Sequence, residues 1–156
     1  MPRGMTIFGV GPLVFLITAA YFLAALALHH LYPGRFTIPG IPRACFIAAG
    51  CLLLAVGLPL LVLSVRAVRK AFRKGRLVTD GPYAICRHPV YAAELVCFTG
   101  AALLFQSWLM LTVPLVDYVA IRIFIRKEEE YLEREFGQEF LDYKQRVNAL
   151  FPTWRR

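Results

Sequence analysis

The sequence predicts an all-α integral membrane bundle of about four transmembrane segments, with a helical C-terminal tail on the cytoplasmic side. Three observations predict it. Of the 156 residues, 58% are hydrophobic, against roughly 45–50% in soluble domains. The apolar residues come in long runs rather than amphipathic stripes. The basic residues behind the net charge of +8 gather beside those runs instead of spreading over a surface. One domain, residues 1–156, accounts for the length, and no internal repeat or low-complexity segment divides it.

The first run, about residues 6–28, carries no charge and exceeds the roughly 20 helical residues a hydrocarbon core needs. It ends at His29-His30-Leu31-Tyr32-Pro33-Gly34, an interfacial turn, without the small-residue cleavage site of a signal peptide. The second run, about 41–65, contains Gly50, Gly57 and Pro59. Membrane helices tolerate these residues, and the glycines permit close packing. The third, from Tyr91 to Ile125, would extend about 52 Å as one helix across a core of about 30 Å, so it must fold back. Gln106-Ser107 is the natural reversal point, giving arms at about 92–105 and 108–125, the first short for a full crossing.

Four crossings leave both termini on one side. The positive-inside rule places Arg3, the 66–87 loop and the basic tail in the cytoplasm, with only Arg35 and Arg43 near the outer turn. Arg66, Arg69, Lys70, Arg73, Lys74 and Arg76 follow the second run directly, which suits anionic lipid rather than nucleic acid. The four cysteines, Cys45, Cys51, Cys86 and Cys97, form no CxxC pair and read as small buried hydrophobes rather than metal ligands or disulfides.

Polar chemistry concentrates in two segments, 77–91 and 122–152. The first contains Gly81-Pro82-Tyr83 and then Arg87-His88-Pro89-Val90-Tyr91; the second contains Glu128-Glu129, Phe136-Gly137, Phe140, Tyr143, Val147 and Pro152. Each motif alone has an ordinary explanation. Glu128-Glu129-Glu130 with Arg126, Lys127 and Arg134 reads as a solvated helix face, Tyr83 and Tyr91 as interfacial anchors, and His88 as an exposed loop histidine. Their joint occurrence, in order around a membrane hairpin, is the informative feature. It resembles the isoprenylcysteine carboxyl methyltransferase family and its prokaryotic relatives, integral membrane enzymes that use S-adenosylmethionine. The resemblance runs from residue 77 to about 152 and departs from the family pattern at Ala92-Ala93, Phe140 and Asn148.

The resemblance implies methyl transfer to a lipophilic acceptor entering from the bilayer, an isoprenylcysteine carboxylate being the acceptor the family suggests. No metal is required, and nothing in the residues fixes the oligomeric state. S-adenosylmethionine needs anions, cations and an aromatic or apolar slot. Arg87 can pair with its carboxylate, and Glu128 or Glu129 can accept from its amino group or ribose hydroxyls. Tyr83, His88 and Tyr91 can pack on or bond its adenosine. Pro89 excludes His88 from helical geometry, which predicts backbone amides at Arg87-His88 free for a ligand. The family's catalytic arginine finds its nearest match in Arg122, expected to share one helix face with Arg126 and Glu129 and so to hold an anionic acceptor. The alternative is that Arg122 snorkels to the surface. Glu128 is the candidate base for a thiol or amine acceptor. Which of Glu128, Glu129 and Arg126 meets the cofactor and which the acceptor stays open.

Phe136, Phe140, Tyr143 and Phe151 predict a tail that closes over the cofactor as a lid, the alternative being an amphipathic helix on the membrane surface. Two other functions compete: an NADPH-dependent sterol-type reductase, which shares a related C-terminal pattern, and a non-enzymatic membrane scaffold.

Overall fold

The computed structural model describes residues 11–152; Arg3, residues 6–10 of the first run and the chain after Pro152 lie outside them. The order is α1 (Gly11–Leu31), a short α2 (Pro33–Phe36), α3 (Arg43–Arg73), α4 (Pro89–Leu103), α5 (Val113–Phe136) and α6 (Gln138–Arg146). Turns of 3-10 helix at Gly81–Ala84 and Met110–Thr112 precede α4 and α5. No strand is formed among the described residues.

Two helices, α1 and α3, are long and apolar enough to cross a membrane. Their large side chains point outward: Leu16 is 62% exposed, Leu23 64% and Leu52 66%. The outer flank of α5 repeats the pattern with Leu115 at 65% and Val119 and Ile123 at 56%. A soluble protein hides such surface or pairs it; here lipid is the solvent, and the chain is an all-α membrane bundle. Continuing α3 to Arg73 carries its basic final turns past the apolar section, since 31 residues rise about 46 Å.

The α3–α4 contact is the most extensive in the bundle, and glycine makes it close. A Cβ on Gly50 would lie 2.7 Å from the carbonyl oxygen of Gly100, and one on Gly57 2.7 Å from Cys97 Sγ. Removing those methyl groups lets the backbones meet and gain dispersion contacts that lipid would not supply. The α1–α5 contact is polar at its centre: Thr18 donates to Asp117 Oδ1 at 2.8 Å, and both residues are fully buried.

The helical run breaks where its length requires. Helix α4 stops at Leu103, Gln106 takes a left-handed φ of 49°, and α5 proper begins at Val113. Gln106 then stitches this turn to the α1–α3 connection, its Nε2 donating to the carbonyls of Ile38 and Ile41 at 2.9 and 2.8 Å. Backbone bonds from Ile38 to Gln106 and from Trp108 to Phe36 complete the join.

At the opposite end, Gly137 joins α5 to α6 with φ 53° and ψ −125°, a region a residue with Cβ resists. The chain therefore turns back there, and α6 packs Phe140 and Tyr143, with Val147 beyond it, onto Leu77. Leu150 follows into the core beside Tyr91, Ile121 and Ile125. The aromatic face expected of the tail is corrected in one member: Phe151 is 62% exposed, and Val147 and Leu150 take the inward positions.

Candidate active site

Each motif residue is placed by a local cause. Gly81 adopts φ 61°, the left-handed conformation that glycine accommodates, and with Pro82 it opens the 3-10 turn that carries Tyr83 inward, where it is 7% exposed. Pro89 occupies the first turn of α4, where its missing N–H costs nothing, and His88 before it has φ −124° and ψ 62°. From this start Tyr91 and Glu94 lie on the buried side of α4, 3% and 6% exposed.

The two adjacent glutamates of α5 are engaged differently. Glu129 is surrounded by nitrogen partners: Arg87 Nη2 lies 2.6 Å from its Oε1, His88 Nε2 3.2 Å from the same oxygen, and Lys144 Nζ 3.0 Å from Oε2. Burial by itself would raise its pKa, but the hydrogen bonds from His88, Arg87 and Lys144 and the charge of Arg87 hold it well below the ordinary carboxylate range. Glu128 is less engaged. Its Oε2 accepts from Tyr91 Oη at 2.6 Å, and its Oε1 stands 3.9 Å from His88 Nδ1.

Arg87 is committed within the protein. Besides Glu129 it donates to the carbonyl of Lys144 at 3.1 Å and to that of Val147. The backbone amides of Arg87 and His88 are committed too, donating to Asn148 O at 2.8 Å and Ala149 O at 2.9 Å. The expectation of free amides at this position is therefore corrected: the end of the tail satisfies them, as buried backbone donors require. Tyr143 closes the clamp, its hydroxyl donating to the carbonyl of Tyr83 at 2.6 Å. Burial raises the phenols of Tyr83 and Tyr143 above their usual value, so both are neutral donors. Burial likewise pushes the nearby Cys86 thiol up to about 11.

Beneath this clamp lies a cavity of about 640 Å³, within the range of small-molecule sites. Tyr83, His88, Tyr91 and Glu128 line it, with Glu94 one turn further along α4; the remainder is apolar, from α1, α3 and α4. Of the sequence-predicted site residues, Tyr83, His88, Tyr91 and Glu128 thus reach the cavity, while Arg87, Pro89 and Glu129 are not part of its lining. Arg122 joins neither group. It is exposed on α5 and, like Glu129, absent from the lining; Arg126 is exposed as well.

Sequence reasoning missed Lys144, a single lysine in a mixed-charge tail with nothing in its spacing to mark it. It also missed the contribution of the first two runs, whose Phe15, Leu16, Leu54 and Leu58 wall the cavity but look like any lipid-facing residues.

The model of the phospholipid methyltransferase family matches residues 45–139. The chain is 36% identical to the nickel-cobalt-cadmium resistance protein NccN of Alcaligenes xylosoxydans xylosoxydans over 49% of its length. It is 36% identical to methanethiol S-methyltransferase 1 of Bradyrhizobium diazoefficiens over 52% of its length. Protein-S-isoprenylcysteine O-methyltransferase B of Arabidopsis thaliana is 34% identical over 49% of this chain. The matches cover 36%, 27% and 40% of those relatives' own lengths, so the chain spans well under two thirds of each. The family match extends over more than half of the sequence, from α3 through the Arg87–Tyr91 motif and the Glu128-Glu129 pair to the start of α6, and the chain belongs to the phospholipid methyltransferase family.

Proposed function

We propose that the protein transfers a methyl group from S-adenosylmethionine to a lipophilic acceptor. One observation carries the reading: a single cavity joins a polar end, made by Tyr83, His88, Tyr91 and Glu128, to an apolar length walled by α1, α3 and α4. A water-soluble cofactor and an oily acceptor need such a two-part site.

The residues suit the cofactor's cationic and aromatic parts. Glu128 offers an anion to a sulfonium or ammonium group, oriented by the hydrogen bond from Tyr91. Tyr83 and His88 supply flat faces. Bound there, the cofactor supplies a methyl group activated by its positive sulfur. The protein's own contribution is to orient and to exclude water: α6 and the chain to Leu150 cover the polar end, fastened by Glu129, Arg87 and Lys144. Arg87 and Glu129 are assigned to this fastening rather than to ligand contact, and Arg122 to snorkelling at the membrane surface. A thiol or amine acceptor leaves a proton that Glu128 can take.

The proposal includes an orientation with four membrane segments and both ends and residues 66–90 in the cytoplasm, where the basic end of α3 meets anionic lipid. A cysteine placed at Gly75 resists membrane-impermeant labelling of intact cells; labelling there contradicts the orientation.

Calorimetry of the full chain in detergent tests the function. Saturable binding of S-adenosylhomocysteine without binding of NADPH is expected. Binding of NADPH alone points to a reductase, and binding of neither to a scaffold.

A further inference from the structure

We propose that Glu94 selects the methyl acceptor, accepting a hydrogen bond from an N–H, O–H or S–H group at the head of an apolar chain and disfavouring a carboxylate head. The inference rests on the methyl-transfer reading of the same cavity.

Glu94 is 6% exposed, lines the cavity, and has an Oε1 with no hydrogen-bond partner. A buried acceptor left unmatched costs free energy, and an ionisable residue in a membrane segment marks function more often than packing. A ligand that donates to it recovers that cost.

Its place on α4 sets which part of a ligand it meets. Tyr91, Glu94, Phe98 and Ala101 all line the cavity, spaced to share one helix face. Tyr91 is fixed on Glu128, Glu94 follows about 4.5 Å along the axis, and Phe98 opens the apolar length about 6 Å beyond. Glu94 therefore stands where the polar end meets the oily one, at the level of an acceptor's head rather than its tail.

The charges around it oppose an anionic head. No lysine or arginine lines the cavity, and the closest motif cation, Arg87, is bonded to Glu129 and the tail carbonyls. His88 faces Glu129 as well. A carboxylate head would sit beside Glu128 in a cavity without a lysine or arginine to pair with it, whereas an amine, alcohol or thiol would donate to one of the two carboxyl groups.

The test uses the full chain, free of cofactor, in nanodiscs of zwitterionic lipid. Thermal unfolding is followed during titration with decylamine, decanethiol, decanol and decanoate, which share one tail. The donor-headed probes are expected to raise the midpoint at concentrations at least tenfold below that at which decanoate does, and their ranking identifies the head. Glu94→Leu is expected to weaken the best probe at least tenfold and leave S-adenosylhomocysteine affinity within twofold. Equal or stronger binding of decanoate overturns the inference, as does unchanged probe binding in Glu94→Leu. If that variant does not fold, the ranking on the unaltered protein decides alone. Absence of S-adenosylhomocysteine binding to the unaltered protein overturns the methyl-transfer reading instead, a separate result.

Discussion

The clamp around Glu129 and the cavity beside Glu128 are built from neighbouring residues on one helix, yet they use their carboxylates in opposite ways. Glu129 has three partners from two other segments, Arg87, His88 and Lys144, so its oxygens have little left for a ligand. Glu128 is held by one phenol and faces open volume. In the proposed reading, a pair of acidic residues in a motif is thus two devices, one that fastens and one that binds. The turn of about 100° between successive helical residues separates them.

The comparison breaks most visibly if the fastening is cut. Glu129→Ala leaves Arg87 and Lys144 without their anion; the Arg87 and Glu129 side chains are only 10% and 12% exposed, and stranding a partner in such a pair costs about 3–5 kcal/mol. A fall in thermal midpoint and rapid proteolysis after Gly137 are expected, with cofactor binding lost as a consequence. A variant that melts like the parent would show that Glu129 is a surface carboxylate.

Glu128→Gln sharpens the other side. It keeps a hydrogen-bond acceptor for Tyr91 but removes the charge, so the melting midpoint stays while S-adenosylhomocysteine binds more weakly. A charged hydrogen bond is worth about 1.5–3 kcal/mol, a loss of roughly tenfold to a hundredfold. Unchanged affinity would place the cofactor elsewhere.

Acid weakens the clamp in a defined direction. The pKa of Glu129 is lower in the folded protein than in the unfolded chain, so its stabilisation is complete above the unfolded value of about 4.3. It drains away as pH falls from there through the folded value. The midpoint of the parent should drop between pH 5 and 3, approximate values taken from that reference, and Glu129→Gln should show a shallower drop.

A smaller effect reports on the cover itself. With its thiol pushed up to about 11 and 4% exposed, Cys86 is about one part in a thousand thiolate at pH 8. It should resist iodoacetamide in the parent and in Glu128→Gln and react faster in Glu129→Ala. Equal rates in all three would mean that the tail does not shield it.

Much of this is legible in the sequence. The overlong third run had to reverse, and Gln106 does so with a positive φ. Gly50 and Gly57 foretold close packing, and Tyr83, His88, Tyr91 and Glu128 converge as their motifs imply. The failures have physical reasons. Helical spacing alone put Arg122 beside Glu129, but Glu129 is drawn inward by partners from the 87–88 segment and the tail, which no periodicity within α5 encodes. The amides of Arg87 and His88 looked free because their acceptors, Asn148 and Ala149, lie about sixty residues away. Arg87 pairs with a carboxylate of the protein's own, Glu129, whose place 42 residues along the chain no local spacing marks.

Hydrogen exchange at Arg87 and His88, read with S-adenosylhomocysteine affinity on the same samples, tests the division most directly, because those amides are bonded to the tail. The account predicts that Glu129→Ala loses their protection, whereas Glu128→Gln keeps it and still binds S-adenosylhomocysteine at least tenfold more weakly than the parent. Protection retained in Glu129→Ala, or parental affinity in Glu128→Gln, would contradict it.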